Sequence, residues 1–248
     1  MNADTLDKMR KMQLWGMYRV FKTSVETVSS PTCTPDQFIA ELVDSEWDER
    51  QNRSIALKIR NARFRYRAPL EDLYYDTDRN IDKNQVLRFA DCTFIDRHEH
   101  LLITGSTGIG KSYIASAPGY HACGLGYKVI YHNVPRLFSK LKMSRADGSY
   151  LKEVAKIERQ QLLILDDFGM QPFDAAGRAA LMELIEDRHG KGALIITSQV
   201  PVSKWHDVIG EQTIADAILD RIIHNAHRIE LKGESLRKRK AVAQNTTG

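Results

Sequence analysis

The chain has few cysteines, which cross-link small secreted domains, and it has no long apolar run of the kind that anchors a protein in a membrane. It contains three cysteines in 248 residues, with no CxxC pair and no even-numbered framework. This usage is typical of a reducing compartment, where we expect Cys33, Cys92 and Cys123 to be small buried hydrophobic residues. No segment approaches the roughly 18 continuous apolar residues that span a membrane, and the N-terminus lacks the apolar run of a signal peptide. The sequence therefore predicts a cytoplasmic protein with no membrane partner.

A large excess of one charge is also missing. The 36 Lys and Arg residues stand against 32 Asp and Glu residues, which leaves a formal net charge of +4. With so small a total, the position of the basic residues matters more than their number. Hydrophobic residues make up 42% of the chain, which is enough for a core. The length allows one large domain or one domain with a smaller companion.

The most specific motif is a complete phosphate-binding loop of the form GxxxxGK[ST]. It follows a short apolar run at residues 101–104 and precedes a helix start, which is the strand, loop and helix context that such a site requires. Backbone N–H groups of the loop can cradle phosphates, Lys111 can reach the β and γ phosphates, and the Ser112 hydroxyl can ligate Mg²⁺. We predict that ATP is bound by Gly105, Ser106, Thr107, Gly108, Ile109, Gly110, Lys111, Ser112 and Tyr113.

Two acidic residues end a second apolar run, at residues 162–165. Asp166 is predicted to emerge at the carboxyl end of this strand, beside the phosphate loop, where it can hold Mg²⁺ through water. Asp167 comes next and is predicted to orient or deprotonate the attacking water. Alone, such a run would more often be a strand followed by an Asp-rich turn. Some 50 residues after a phosphate loop, it indicates the second half of a nucleotide site.

A third apolar run, at residues 193–196, ends in Thr197, Ser198 and Gln199. If the sheet is parallel, these side chains lie at the same edge as Asp166 and can contact the γ-phosphate or the lytic water. An ordinary helix cap or turn is the alternative for any one of them. We take Ser198 and Gln199 as the candidate contacts.

The pattern of apolar residues divides the chain into two main regions and a tail. Residues 98–232 alternate strands with helices, which predicts an α/β core with a parallel sheet. The predicted strands cover 101–104, 129–132, 162–166, 193–198 and 227–230, and the main helices cover 111–123, 135–143, 174–189 and 211–224. Residues 1–97 predict an α-helical N-terminal DNA- or partner-binding domain with a connector, in which one helix lies near 6–17, a second follows Thr34 and a third covers 50–67. Residues 233–248 form a basic polar tail.

The third of these N-terminal helices carries an unusual charge pattern. Seven of residues 50–67 are basic and none is acidic. On a helix, Arg53, Arg60, Arg63 and Arg67 can share a face that follows the phosphates of a duplex without reading its bases. A solvated helix face is the alternative, although acidic residues would normally balance it. The cluster at 237–240 is a second basic stretch. Predicted DNA contacts are Arg53, Lys58, Arg60, Arg63, Arg65 and Arg67.

The order of these motifs resembles a known family. The chain resembles the initiator and helicase-loader group of AAA+ ATPases in the order of its motifs over one sheet. These motifs are a phosphate loop, Leu-Asp-Asp, Thr-Ser-Gln and Asp-Arg-Ile. Residues 165–169, 197–205, 215–222 and 233–238 resemble IstB, the ATPase partner of an insertion-sequence transposase, over nearly the whole chain. The resemblance implies a five-stranded parallel AAA+ P-loop core after a small α-helical domain. It also implies Arg221 as a finger that reaches a neighbour's γ-phosphate, and Arg237 as a second sensor.

By this resemblance, the chain is an ATPase that uses ATP and Mg²⁺, forms an ATP-dependent homo-oligomer on double-stranded DNA and activates the transposase of the same element. The same resemblance implies the bacterial cytosol and association with the nucleoid. Two alternatives share these motifs: a DnaC-type replicative helicase loader, and a nucleotide-gated DNA-binding adaptor that hydrolyses little. One departure is Pro118 in the helix after the phosphate loop, because a mid-helix proline costs ~3 kcal/mol and kinks the helix. The first turn, which contains Lys111, can keep its geometry, and the sequence leaves the packing beyond that turn open.

Overall fold

The computed structural model describes residues 2–27, 34–73, 80–233 and 235–236, and its contacts divide the chain into two compact units. The first unit ends at Leu57 and the second begins at Lys58. Residues 58–97 thus group with the strands of the core. The functional boundary that we predict at residue 97 stays a prediction. Among the described residues, no helix is long and apolar enough to cross a membrane.

Two short helices open the first unit, α1 (Asn2–Lys11) and α2 (Trp15–Glu26). The single helix predicted near 6–17 is therefore wrong, because the backbone turns between them at Gln13, which has a φ of 58°. Gly16 lets α2 approach the chain around Ser45 closely, since a Cβ at this position would lie 2.2 Å from the Ser45 carbonyl oxygen. The Gly16 N–H donates to a carboxylate oxygen of Glu46 at 2.9 Å.

The two further helices predicted in this region are one continuous helix, α3 (Pro35–Ala62). It ends earlier than predicted, because Arg63 has a φ of 57°, in the left-handed region that commonly terminates helices. The helix therefore ends before Arg63, Arg65 and Arg67. The expectation that two of these residues, Arg63 and Arg67, share a helical face with Arg53 and Arg60 is wrong. The connector contains a 3₁₀ turn (Leu70–Asp72) and two short helices, α4 (Lys83–Leu87) and α5 (Thr93–Asp96).

A five-stranded parallel sheet forms the centre of the second unit, as predicted. Its strands are β1 (His100–Gly105), β2 (Val129–Asn133), β3 (Leu162–Phe168), β4 (Ala193–Ser198) and β5 (Ala226–Leu231). They pair in the order β2, β3, β4, β1, β5. Because all pairs are parallel, the carboxyl ends of the strands meet at one edge. This edge is where an open α/β sheet binds its ligands.

Helices cover both faces of the sheet, because successive side chains of a strand point to opposite faces. On β1, Leu101 and Ile103 belong to one buried cluster and Leu102 belongs to the other. The first cluster includes α6 (Lys111–Gly124) and buried residues of the connector. The second includes α7 (Val134–Ala146), α8 (Tyr150–Glu158), α9 (Ala175–Arg188), α10 (Trp205–Ile209) and α11 (Gln212–Ile223).

Helix α6 continues through Pro118 to Gly124, and its second half is as well packed as its first. Ala122 and Cys123 are fully buried, so the helix is packed beyond its first turn. Gly119 explains the tight fit, since a Cβ there would lie 2.7 Å from Ile164 of β3. Cys92 and Cys123 are buried as predicted, whereas Cys33 lies outside the described residues.

Candidate nucleotide site

The phosphate loop joins β1 to α6 at the carboxyl edge of the sheet. Gly108 and Gly110 have φ angles of 80° and 99°, which residues with side chains rarely adopt. The Lys111 ammonium is buried and donates to the carbonyl oxygens of Gly105 at 2.7 Å and Ser106 at 2.8 Å. Burial lowers the pKa of this ammonium, and the carboxylates of Asp167 and Asp166 oppose that shift. The loop is thus a cradle of N–H groups with one cation at its base.

The end of the described chain lies against this loop. The Leu236 N–H donates to the Gly108 carbonyl oxygen at 3.0 Å. A Cβ at Gly108 would lie 2.2 Å from the Ser235 hydroxyl, so only glycine fits. Arg237, for which a second-sensor role is predicted, lies just beyond the described residues, as does the rest of the basic cluster at 237–240.

Asp166 is fully buried, and side chains from three other elements donate to its carboxylate. The Ser112 hydroxyl of α6 donates to Oδ1 at 2.9 Å. The Thr197 hydroxyl of β4 also donates to Oδ1, and the Tyr131 hydroxyl of β2 donates to Oδ2. Strands β2 and β4 flank β3 in the sheet, so both reach the acid from its sides. These contacts hold the carboxylate beside Ser112, and together the two side chains offer the oxygen ligands that Mg²⁺ prefers.

Asp167 lies beside Asp166, but its carboxylate has different neighbours. Its φ is 62°, a left-handed conformation that aspartate tolerates better than most residues. Its Oδ2 accepts from the Asn133 amide at 2.9 Å, and its backbone N–H donates to the Thr197 hydroxyl at 3.1 Å. Burial, followed by repulsion from Asp166, raises the pKa of the Asp167 carboxyl. A raised pKa makes this carboxylate a stronger base than an exposed aspartate.

The two candidates at the end of β4 differ in where they point. Ser198 is buried, donates to the Phe168 carbonyl oxygen at 2.7 Å and accepts from the Val200 N–H. Gln199 instead accepts from the Thr107 hydroxyl of the phosphate loop at 2.6 Å. The geometry therefore favours Gln199 over Ser198 as the residue near the phosphates. Their roles stay predictions.

A cavity of about 410 Å³ opens between the phosphate loop and Asp167. Its position and lining fit a nucleotide whose phosphates lie on the loop. The described residues that line it come from the segment after α3, the phosphate loop, α6, β3 and the chain that follows β3, β4 and β5: Arg65, Tyr66, Thr107, Gly108, Gly110, Lys111, Ser112, Tyr113, Asp167, Met170, Gln199 and Leu236.

Arg221 is not among the described residues that line this cavity. It lies on α11, where its guanidinium pairs with Glu186 at 2.7 Å and donates to the Ala217 carbonyl oxygen at 2.8 Å. A finger that acts on a neighbouring chain does not need to reach its own site, so this position is compatible with the role that the resemblance implies.

The predicted DNA contacts lie partly on α3 and partly in the segment that follows it. Arg53 lies in the first compact unit and Lys58 to Arg67 lie in the second. Arg60, Arg63 and Arg67 are exposed. Arg65 is exposed as well, but its guanidinium lies 3.5 Å from Asp166 and 3.6 Å from Asp167. Sequence reasoning therefore missed three side chains of the site, Arg65, Tyr131 and Asn133, and it placed Thr197 at this edge of the sheet without choosing it as a candidate contact. Asn133 ends β2, and a polar residue at the end of a strand is the one signal that could have found it, whereas Tyr131 lies in the middle of that strand.

Known proteins similar to this chain are ATP-binding proteins of insertion sequences. The family model described as "IstB-like ATP binding protein" matches residues 7–244. The insertion-sequence ATP-binding protein y4pL of Sinorhizobium fredii (strain NBRC 101917 / NGR234) is 43% identical over 234 residues, which are 94% of this chain and 96% of that protein. The corresponding protein of insertion sequence IS21 from Pseudomonas aeruginosa is 29% identical, over 85% of this chain and 82% of that protein.

Solved structures of replication proteins share the fold. The structure of DnaI has a TM-score of 0.59 at 24% identity and covers 67% of this chain and 92% of its own. The DnaC helicase loader has a TM-score of 0.55 at 19% identity, with coverage of 67% and 98%. AMPPCP-bound DnaA from Aquifex aeolicus has a TM-score of 0.59 at 17% identity, with coverage of 74% and 56%. These similarities concern the fold, and they confirm the predicted AAA+ P-loop core.

Proposed function

We propose, since the chain belongs to the family of IstB-like ATP-binding proteins, that it is an AAA+ ATPase which assembles on duplex DNA and assists the transposase of its insertion sequence. ATP binding follows from the family. The proposal adds that the chain hydrolyses ATP with Mg²⁺, binds DNA, assembles with copies of itself and acts on the transposase. The observation that carries it is the hydrogen bond between Ser112 and Asp166, because it joins the phosphate loop to the acidic strand in one site.

Different residues of the site have different roles in the proposed hydrolysis. Lys111 and the loop N–H groups bind the phosphates and stabilise the charge that develops on them. Ser112 and Asp166 would hold Mg²⁺, which would neutralise phosphate charge. Asp167 takes a proton from the attacking water, and its raised pKa suits that role. Thr107 and Gln199 orient groups near the terminal phosphate.

Replacing Asp167 by asparagine tests the assignment of the base. We expect Asp167→Asn to keep ATP and Mg²⁺ binding and to lower turnover about 10²-fold or more, because the amide cannot accept the proton of the water. A phosphate-release assay and a fluorescent ATP analogue measure the two effects separately. Asn133→Ala is the matched control, since it removes the partner of Asp167 and keeps the carboxylate. Unchanged turnover in Asp167→Asn would assign the base to another residue.

Exposed arginines after the middle of α3 support the proposal of DNA binding. Arg60 and Arg63 are both exposed, and contacts to phosphates act alike on every sequence. We expect the double replacement by alanine to weaken duplex binding generally and to lower the slope of log K against log salt by about two. Lys191 and Lys204, which are exposed on other elements, serve as the control pair. A wild-type slope and affinity in the Arg60 and Arg63 variant would remove this stretch from the DNA interface.

The transposase separates this proposal from its alternatives. In a strand-transfer reaction with the transposase of the same element, ATP and duplex DNA, the chain should raise the yield. No stimulation of the transposase, together with binding to the replicative helicase, would favour the loader, whose fold the chain shares. DNA binding that depends on ATP without measurable turnover would favour an adaptor. Location in the bacterial cytosol and nucleoid is part of the same proposal.

A further inference from the structure

The short segment after α3 runs along the nucleotide cavity. Phe64 packs against Tyr120 of α6 with ring centroids 6.0 Å apart, and it also lies close to Gly119. Tyr66 packs against Tyr113 at the start of the same helix, again at 6.0 Å. The residue between these two aromatic anchors is Arg65. The backbone of Arg65 is thus held at the rim of the cavity by contacts on each side of it.

The guanidinium of Arg65 lies among the charges of the site. Its Nη1 is 3.5 Å from Oδ2 of Asp166 and 3.6 Å from Oδ2 of Asp167. These distances are too long for good hydrogen bonds, and the side chain is 42% exposed, so the ion pair is a loose one. Arg65 also lines the cavity together with Lys111. Its guanidinium also lies 5.5 Å from the centroid of the Tyr66 ring, which keeps it at the rim of the cavity.

The charge balance of the site argues for a further cation besides Lys111 and the Mg²⁺ of the proposed function. The acidic pair carries two carboxylates, and the terminal phosphate of ATP brings further negative charge beside them. Lys111 already donates to the carbonyl oxygens of Gly105 and Ser106. A guanidinium is planar and presents several donors in a fork that matches phosphate oxygens, which a lysine cannot do.

We propose that Arg65 is a nucleotide contact supplied by the chain's own segment after α3, and that it binds the terminal phosphate and so distinguishes ATP from ADP. The inference deepens the proposed ATPase and rests on it for the choice of nucleotide. It replaces the DNA contact that the sequence predicts for this residue. Because ADP lacks the terminal phosphate, the contribution of Arg65 to its binding is small.

The ratio of ATP to ADP affinity tests this role without measuring turnover. We expect Arg65→Ala to weaken binding of a non-hydrolysable ATP analogue about tenfold and to change ADP affinity less than twofold, both measured calorimetrically with saturating Mg²⁺. Tenfold is the usual effect of losing one hydrogen bond to a charged group. Arg65→Lys should recover only part of the loss, since it restores the charge without the fork.

Arg67→Ala is the matched control, because Arg67 is exposed two residues further along and does not belong to the lining described for the cavity. It should leave both affinities unchanged. If Arg65→Ala weakens the binding of ATP and of ADP equally, or tightens the binding of both, the proposal is wrong. Arg65 is then a counter-ion of the acidic pair. Retained ADP affinity shows that the variant is folded. A wild-type chain that binds ATP without assisting a transposase would contradict the proposed function and leave this test unaffected.

Discussion

Replacing Lys111 by alanine should abolish ATP binding while the fold is retained. The ammonium is the one side-chain cation held at the base of the phosphate loop in the described part of the chain, and its two hydrogen bonds point it along the loop. Without it, the phosphates face Asp166 and Asp167 with no compensating charge from α6. We expect affinity for a fluorescent ATP analogue to fall at least 10²-fold, as loss of a buried charge-assisted contact does.

The fold needs its own measurement, because Lys111 is buried and its removal leaves two carbonyl oxygens without a donor. Because Gly105 is half-buried and Ser106 is exposed, water can replace the lost donor, and we expect a loss of about 1 kcal/mol or less for each carbonyl. Far-ultraviolet circular dichroism and thermal melting report it. Lys191→Ala is the control, since Lys191 is exposed and distant in sequence from the loop. ATP binding at the wild-type level in Lys111→Ala would contradict the assignment of the site.

Replacing Arg221 by alanine should lower turnover about 10³-fold and leave the ATP affinity of the isolated chain nearly unchanged. This separation follows if the guanidinium acts on a neighbour's γ-phosphate, as a finger supplied in trans does. The residue is outside the described lining of its own cavity, and its present partner is Glu186. ATP-driven assembly should fall together with turnover. Phosphate release, analogue binding and sedimentation measure the three quantities.

Mixing variants shows whether the arginine works across an interface. Asp167→Asn retains Arg221, and Arg221→Ala retains Asp167, so a mixed interface can contain one intact site and one intact finger. We therefore expect partial recovery of turnover in the mixture. Glu186→Gln is the control that separates a finger from a structural ion pair, because it removes the partner at 2.7 Å and keeps the guanidinium. No recovery in the mixture, with equal loss in Glu186→Gln, would assign Arg221 a structural role within its own chain.

Local patterns predicted the core well and the N-terminal helices poorly. All five strands lie within two residues of their predicted bounds, because apolar runs that end in polar residues are set by short-range sequence. The N-terminal helices differ, since the bounds of a helix depend on packing and on single residues in the left-handed conformation. Gln13 divides one predicted helix and Arg63 ends another, and neither residue type signals such a turn.

The sequence by itself determined the phosphate loop, its lysine and the acidic pair, because each of these is a short motif whose chemistry depends on neighbouring residues. Tertiary structure decided which side chains surround that pair. Tyr131 and Thr197 reach Asp166 only because β2 and β4 flank β3, an order that no local pattern encodes.

Arg65 approaches the same carboxylate although it is far away in sequence, because two aromatic contacts hold its backbone against α6. Its charge alone is equally suited to DNA. The chemical use of a basic residue depends on what it faces, and in this protein the packing of the folded chain turns Arg65 toward the nucleotide site.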